Sequence, residues 1–438
     1  MELEIEYTDK EITSWGGLAL LQKMLKKMNF TKVLQEMDLP EQKSNRGYKP
    51  EEIITSFLTG VWCGATKYSD LEIIRGDKVI KEILGFKSIC SQKSYIRYFS
   101  KFNEEDNINK FTKLYKWMFT NLKRNNYTLD IDSTVISRYG DQEGSKKGYQ
   151  TFKKGRKSHH PIIAMVSEEK KVANFWLRSG DSYTSNNFIA FFENTIERLE
   201  GKTVSLLRAD SGFFADKILN YLEDKETPVK YIISAKLYKT IKKLIIMESK
   251  FHTIAKGIQI AEVNHNLLQW QKPRRFIIIR QNIAVRPKAT GKEISQTLFP
   301  EIMIDEKYRY GVLVTNLDLS PELVWHLYKE RANCENIIKE LKYDFAAGSF
   351  NLQSFTATEA ALNFIMIGYN LMSLFKDIVL KMERVPMMKF VRYKVLSMGA
   401  MIIRRGRKKI LQLAIQSKRR RWFQALWNTE YSFCDWHL

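Results

Sequence analysis

The hydrophobic period of this chain changes near Tyr127, and that change constrains the fold more than any other feature of its 438 residues. Ahead of it, apolar residues recur at helical spacing: Leu18, Leu20, Leu21, Met24, Leu25 and Met28, then Ile53, Ile54, Phe57, Leu58 and Val61. Pro50 followed by Glu51 and Glu52 has the make-up of a first helical turn, where acids favour the helix dipole. From Tyr127 to Val135 the alternation is period two. It puts Leu129, Ile131 and Val135 on one face and Asp130 and Asp132 on the other.

Beyond that strand the pattern predicts further strands at Ile162–Val166, Val172–Leu177, Val204–Leu207 and Tyr231–Ser234, with helices at Asn186–Leu199 and Phe214–Leu222. Strands in succession, then strands alternating with helices, indicate an α/β fold with a mixed sheet covered by helices. Strand candidates Ile258–Val263, Phe276–Arg280 and Tyr310–Val314 make 237–319 a β-rich insertion. A helix then opens at Ser320-Pro321-Glu322 with an N-cap, an N1 proline and an early acid. The expected division is a helical region 1–125, a core in two parts (126–236 and 320–383) around the insertion, and a basic region 384–438. The helices of 1–125, separated by Gly, Ser and Asn turns, suit a helix-turn-helix-like DNA-binding module, although most small helical domains share that appearance.

Charge narrows the function. Seventy-one Lys and Arg against forty-nine Asp and Glu leave +22, an excess that calls for a polyanionic partner. It is concentrated: thirteen Lys and Arg and no acid lie between Arg384 and Thr429. Six more, again without an acid, lie between Gly144 and Pro161: Lys146, Lys147, Lys153, Lys154, Arg156 and Lys157. Charge serving solubility alone would mix signs, so the clusters favour a nucleic-acid backbone. Four cysteines without CxxC spacing and six histidines without HExxH argue against a dedicated zinc site. The acidic start Met1-Glu2-Leu3-Glu4-Ile5-Glu6 is unlike a signal peptide. The most apolar stretch, about Ala360 to Phe375, is broken by Asn363, Gly368 and Asn370 and reads as a buried helix. A cytoplasmic protein with no membrane partner is the expectation.

Three carboxylates occupy positions suited to chemistry. Asp132 lies on the polar face of the first core strand, before Ser133-Thr134. Asp210 follows the apolar run Val204–Ala209 at a strand's carboxyl end, where open sheets place ligands. Glu335 lies in the helical region after the insertion. Taken singly, most such aspartates are turn or cap residues; together, three oxygen donors could hold Mg²⁺ with water and phosphate oxygens. Tyr328, Arg331, Glu335 and Lys342 are spaced three, four and seven apart, which on one continuous helix confines them to an arc of roughly 60°. Such a face suits a metal-bound phosphodiester, with Arg331 forking onto phosphate oxygens and Tyr328 and Lys342 on neighbouring phosphates. A solvent face of i,i+4 ion pairs, such as Glu335 with Lys339, is the structural alternative.

The spacing Tyr328-x2-Arg331-x3-Glu335-x6-Lys342 resembles the Tyr-Arg-Glu-Lys signature of cut-and-paste DDE transposases from bacterial insertion sequences. Asp132-Ser133-Thr134 and Arg208-Ala209-Asp210-Ser211-Gly212-Phe213 resemble that group's two aspartate motifs, and the order Asp, Asp, β-rich insertion, Glu agrees. The resemblance runs from about Tyr127 to Leu380. It implies an RNase H-like mixed-sheet catalytic core, with Asp132, Asp210 and Glu335 as catalytic and metal-binding triad. Two Mg²⁺ ions, with Mn²⁺ able to substitute, would activate a water and stabilise the leaving 3′-oxygen. It implies double-stranded DNA as partner, both terminal inverted repeats and target, a homodimer joining two ends, and a bacterial, nucleoid-associated setting. Asp130 shares the strand face of Asp132, so either could be the first ligand; the following Ser-Thr favours Asp132.

Relatives of this kind can pass through a DNA hairpin in which an aromatic residue of the insertion stacks on a flipped base. Trp270 is the candidate, with a core position as the alternative. The basic loop 144–161, with Tyr149 and Phe152 interleaved, suits phosphate and sugar contact. His159 and His160 at its end are plain loop residues or metal-adjacent groups. Arg208 orients Asp210, contacts DNA, or sits in a buried ion pair. Towards the C-terminus, Arg404–Lys409 and Lys418–Arg421 flank Ile410, Leu411, Leu413, Ala414 and Ile415, which the pattern makes an amphipathic helix. It would run along DNA or, as a second reading, lie on an anionic membrane, where Trp422, Phe423 and Trp427 would suit the interface. Two other functions stay open beside a transposase: a nuclease that cuts without joining, and a repurposed, non-enzymatic DNA-binding protein. The presence of all three carboxylates weighs against the last, because acids beside phosphates oppose simple DNA binding.

Overall fold

The computed structural model describes residues 3–430 except 43–46, 149–152, 225, 227, 249, 283–306 and 382–385. A short strand β1 (Ile12–Thr13) precedes helices α1 (Leu18–Lys27), α2 (Phe30–Gln35), α3 (Pro50–Cys63), α4 (Leu71–Gly76), α5 (Lys78–Leu84), α6 (Gln92–Phe99) and α7 (Glu104–Thr120). Strands β2 (Asn126–Ser133), β3 (Ile136–Ser137), β4 (Lys146–Lys147), β5 (Lys157–His159), β6 (Ile162–Val166) and β7 (Lys171–Trp176) follow. Then come α8 (Phe188–Arg198), β8 (Thr203–Ala209), α9 (Asp216–Glu223), β9 (Tyr231–Ser234) and α10 (Lys239–Met247). Next are β10 (His252–Ala255), β11 (Ile258–His265), β12 (Arg274–Asn282), β13 (Tyr308–Thr315), α11 (Pro321–Lys329) and α12 (Ala332–Tyr343). The chain closes with α13 (Phe355–Leu374), α14 (Met388–Val391), strands β14 (Gly399–Arg405) and β15 (Lys408–Ala414), and α15 (Ser417–Asn428).

These elements gather into two compact units, each assembled from separate stretches of chain. Unit 1 comprises Met1–Lys123, Ile136–Ser145 and Ile338–Leu438; unit 2 comprises Arg124–Val135 and Lys146–Ile337.

Unit 2 is built on a nine-stranded sheet ordered β10-β11-β12-β13-β9-β8-β2-β6-β7. β2 pairs antiparallel with β6, and β6 with β7, while β2–β8 and β8–β9 are parallel. First strand central, second and third antiparallel on one side, fourth and fifth parallel on the other: this is the arrangement of an RNase H-like core. The insertion continues the same sheet, since β13 pairs antiparallel with β9 and carries β12, β11 and β10 outward. One face packs on α11, where Leu206, Ile232, Ile277, Ile279 and Leu313 meet Val324, Trp325 and Tyr328. Burial of these side chains stabilises the layer by about 1.5–3 kcal/mol each. At β7, Asn174 bonds to Thr195 and Arg198 of α8, and Trp176 meets Phe191 edge-on at 5.4 Å.

Unit 1 has a helical core. The apolar stretch read as a buried helix is α13, and its side chains from Ala360 to Leu374 are buried. It is long and apolar enough to cross a membrane by length alone, but 94% of its most apolar window is buried inside the protein. Phe364 of α13 meets Phe111 of α7 at 4.9 Å, and Trp62 of α3 donates to the Gly368 carbonyl. The segment expected to be an amphipathic helix, Ile410–Ile415, is instead strand β15 for most of its length, paired antiparallel with β14. The reason is the turn. Arg405 pairs with Lys408, leaving Gly406 and Arg407 as a two-residue loop, and Gly406 takes φ 58°, a conformation glycine adopts without a Cβ clash.

Candidate active site

Asp132 and Asp210 reach the same level because their strands are parallel neighbours. Ile131 pairs with Ala209, so the next residue on each strand is an aspartate at the sheet's carboxyl edge. Asp132 is 9% exposed; its Oδ1 accepts from the Ser133 amide at 2.7 Å. Asp210 Oδ1 accepts from the Gly212 amide at 2.9 Å and caps the short turn Ser211–Phe213. It is thus both a turn-capping residue and a carboxylate facing a second one. Burial first, and the charge of Asp132 second, push the Asp210 carboxyl up to about 6, the behaviour of like charges sharing a desolvated site.

Arg331 answers part of that charge. Its Nη2 lies 2.9 Å from Asp132 Oδ2 and its Nη1 3.7 Å from Glu335 Oε1. Arg331 is 4% exposed and Tyr328 2%. Tyr328 directs its hydroxyl to the Ala209 carbonyl at 3.5 Å, and burial raises that phenol to about 12. This corrects the phosphate-facing row: Tyr328 and Arg331 both point into unit 2, one beneath β8 and the other onto the acids.

The single helix carrying that row is corrected as well. α11 ends at Lys329 and α12 starts at Ala332, so Arg331 sits in the break, with Tyr328 before it and Glu335 and Lys342 after it. The cause is Arg208. Its Nη1 takes the Leu327 carbonyl at 2.6 Å, the acceptor that the Arg331 amide would use in a continuous helix. The Arg331 amide turns to Tyr328 O at 3.1 Å, and the Asn333 and Cys334 amides likewise bond three residues back. Lys342 belongs to the part of α12 in unit 1.

Arg208 also gives the two aspartates of β2 different surroundings. Its Nε and Nη2 grip both oxygens of Asp130 at 2.7 and 2.9 Å, in a pair whose side chains are 1% and 2% exposed. Asp130 is therefore committed inside the sheet, whereas Asp132, 9% exposed, stands at its carboxyl edge and faces Arg331. Of the roles open to Arg208, the buried ion pair is the one observed.

With this geometry in place, the comparison with known families is decisive. The model described as a transposase DDE domain, group 1, matches residues 1–429. The chain belongs to the DDE transposases. A cryo-EM structure of a piggyBac transposase synaptic complex with hairpin DNA is similar at 11% identity and TM-score 0.45, over 89% of this chain and 82% of that one. No curated protein matches.

Members of the DDE transposase family depend on divalent metal, and the donor set of this chain fits one in part. Two adjacent carboxylates, one of them resisting ionisation, are what a divalent cation relieves. The expected convergence of three carboxylates is met by two: Glu335 is joined to Asp132 through Arg331, and among the described residues no group of three or more His, Cys, Asp or Glu is close enough to hold a metal.

Around these carboxylates lies a layer that sequence reasoning missed. His160 is buried; its Nε2 meets Ser133 Oγ at 3.1 Å and its Nδ1 the Ser182 carbonyl at 2.8 Å. Ser133 Oγ in turn meets Thr184 Oγ1 at 3.3 Å. Thr184 also packs against Gly212 so closely that a Cβ there would lie 2.4 Å from its methyl. The loop after β7 thereby braces the residues following both aspartates, and Arg178 pins that loop through the His160, Tyr183, Thr184 and Asn186 carbonyls. Lone Ser, Thr, His and Arg in a loop carry no spacing that would have revealed this.

The remaining candidates are placed as follows. In the basic loop, Lys146 and Lys147 form β4 against β5, and Lys146 pairs with Asp181 at 3.1 Å. Lys153, Lys154 and Arg156 are exposed and Lys157 half-buried; Tyr149 and Phe152 lie outside the described residues. Trp270 is half-buried, 4.9 Å from Phe214 and with the Arg274 guanidinium 4.9 Å over its ring, the packing of a core-edge tryptophan.

Proposed function

We propose that this DDE transposase acts on an insertion sequence, binding its terminal inverted repeats as double-stranded DNA, cleaving the strand ends and transferring them to target DNA. The observation that carries the proposal is the pair Asp132 and Asp210 on adjacent parallel strand ends, with Arg331 linking Asp132 to Glu335. Asp132 and Asp210 would hold a divalent ion, Mg²⁺ or Mn²⁺, with Glu335 as third donor. Bound there, such ions supply an activated water and stabilise the leaving 3′-oxygen. The chain's own residues do the positioning. Ser133 and Gly212 amides fix the two aspartate rotamers, and Arg331 sets the distance between Asp132 and Glu335. The exposed cations Lys153, Lys154 and Arg156 suit backbone phosphates, whose contacts orient a duplex without reading its sequence. Joining two ends implies a homodimer in the DNA complex.

The test is cleavage and joining on a linear duplex bearing the element's own ends, in Mg²⁺, Mn²⁺ or EDTA. Wild type should release a metal-dependent 3′-OH and then joined product, whereas Asp132→Asn, Asp210→Asn and Glu335→Gln should lose about 10²–10³-fold or more in rate, the order of magnitude of losing a central charge-stabilising group, and still bind the ends. Release without joining would identify a nuclease. Tight binding with no cleavage in either metal, alike in wild type and Glu335→Gln, would identify a repurposed DNA-binding protein.

A further inference from the structure

The β14–β15 hairpin of unit 1 carries its charge in a pattern that its own pairing opposes. Arg404 stands directly across from Lys409, and Arg405 across from Lys408, with Arg407 in the turn between them. Like charges facing each other across antiparallel strands are destabilising. Lys409 is relieved by Glu82 of α5 at 2.6 Å, but Arg404, Arg405, Arg407 and Lys408 make no ion pair among the described residues and are exposed. An outside polyanion would relieve the repulsion that Glu82 leaves uncompensated.

A groove beside the hairpin has the same character. It holds about 510 Å³ between α1, α5, β14, β15 and α15, where Lys23, Lys26, Lys27 and Lys409 stand with the single carboxylate of Glu82 beside apolar Ile83, Ile402, Leu411 and Trp427. Lys23 stands 5.3 Å over the Trp427 ring and donates to the Trp427 carbonyl; burial, and then the charge of Lys27, lower its ammonium from the usual range. The groove and the hairpin share Lys409, so they form one basic surface in a unit that holds none of the three active-site carboxylates.

We infer that this surface binds the phosphate backbone of duplex DNA outside the segment held at Asp132, Asp210 and Glu335. The proposed transposase function enters only in the choice of duplex DNA as the polyanion. A membrane surface fits less well. Phe423 and Leu426 of α15 are buried, which leaves Trp422 and Trp427 as the exposed aromatics of that helix, and the hairpin tip has no apolar side chain to insert. At the hairpin tip, exposed guanidinium and ammonium groups without apolar neighbours are what backbone phosphates require.

The experiment measures binding of the full chain to a 30-bp duplex lacking the element's ends, in EDTA, across a salt series. The Arg404→Ala/Arg405→Ala/Arg407→Ala/Lys408→Ala variant should lose about 3–4 from the slope of log affinity against log salt, and more than a hundredfold in affinity at 0.1 M salt. Arg405→Glu turns an opposed pair into an attractive one. It should raise the melting temperature by about 1 °C and lower DNA affinity roughly tenfold. An unchanged salt slope in the fourfold variant overturns the inference, as does a fall in melting temperature for Arg405→Glu, which would make the arginine structural. Loss of binding to phosphatidylglycerol vesicles with DNA binding intact would assign the surface to membranes instead. Metal-dependent cleavage of the element's ends by the wild type is scored separately from this slope, so a failed catalytic reading and a failed backbone reading give different results.

Discussion

Asp210 carries a charge at neutral pH that its surroundings resist. Its carboxyl is raised to about 6, by burial and then by Asp132, whereas in the unfolded chain an aspartate titrates near 3.9. Between those values the folded state holds a proton that the unfolded state has lost. The stability this group contributes is therefore complete below about pH 4 and lost as pH rises through about 6. Asp210→Asn keeps the Oδ1 acceptor for the Gly212 amide and never ionises. In metal-free protein it should melt above wild type at pH 7.5 and level with wild type at pH 4; an equal gain at both would assign the effect to packing. Divalent metal that binds only the folded state should raise the wild-type melting temperature at pH 7.5, and should raise that of Asp210→Asn less. A residue-scale reading of the sequence locates both aspartates, because strand alternation and an apolar run ending in Asp are local signals. It favours Asp132 over Asp130 through the following Ser-Thr, but the reason Asp130 is buried lies out of its reach, in Arg208, 78 residues away along the chain.

At the scale of elements, Arg208 is a strut. It ties β8 to β2 through Asp130, to Ser167 after β6, and to the last turn of α11 through the Leu327 carbonyl and Glu330. Removing one partner of a buried pair leaves the other charged and unmatched, at a cost of about 3–5 kcal/mol. Urea unfolding of Arg208→Met should show a loss of that size, and the double variant Arg208→Met/Asp130→Leu should recover most of it. If the two losses simply add, the pair is not coupled and the strut is wrong. The same contact explains why periodicity misplaces the Tyr328–Lys342 row on one helix. Residues 321–343 satisfy a single helical pattern, and only a distant guanidinium capturing one carbonyl interrupts it. Strands β2, β6, β7, β8 and β9 were legible because apolar period or apolar runs mark each of them. β15 was not, because Ile410, Leu411, Leu413 and Ala414 fit a helical face as well as a strand, and Gly406 settles the matter through a turn rather than a period.

At the scale of the whole molecule, the helices of 1–123 do not close a core of their own. Thr13 pairs with Ala400, and the Gly16 and Gly17 amides donate to the Met398 and Leu396 carbonyls at 2.8 and 3.2 Å. Arg392 Nε donates to the Trp62 carbonyl at 2.9 Å, and Asn107 Nδ2 to the Thr356 carbonyl at 2.9 Å. Phe57 meets Phe350 edge-on at 5.2 Å, and Phe111 meets Phe364 at 4.9 Å. Each of these contacts joins the N-terminal segment to residues beyond 338, so the buried faces of α3 and α7 are covered by chain more than 200 residues away in sequence. A fragment ending at Lys123 would expose Phe57, Trp62, Phe99 and Phe111 to water, forfeiting roughly 1.5–3 kcal/mol for each, against a total domain stability of only about 5–15 kcal/mol. Residues 1–123 expressed alone should therefore show no cooperative thermal transition by circular dichroism and should bind a hydrophobic dye, whereas the full chain should melt cooperatively and bind none. A sharp transition and a soluble monomer from the fragment would mean that the N-terminal helices form an independent module, free to move on DNA apart from the rest of unit 1.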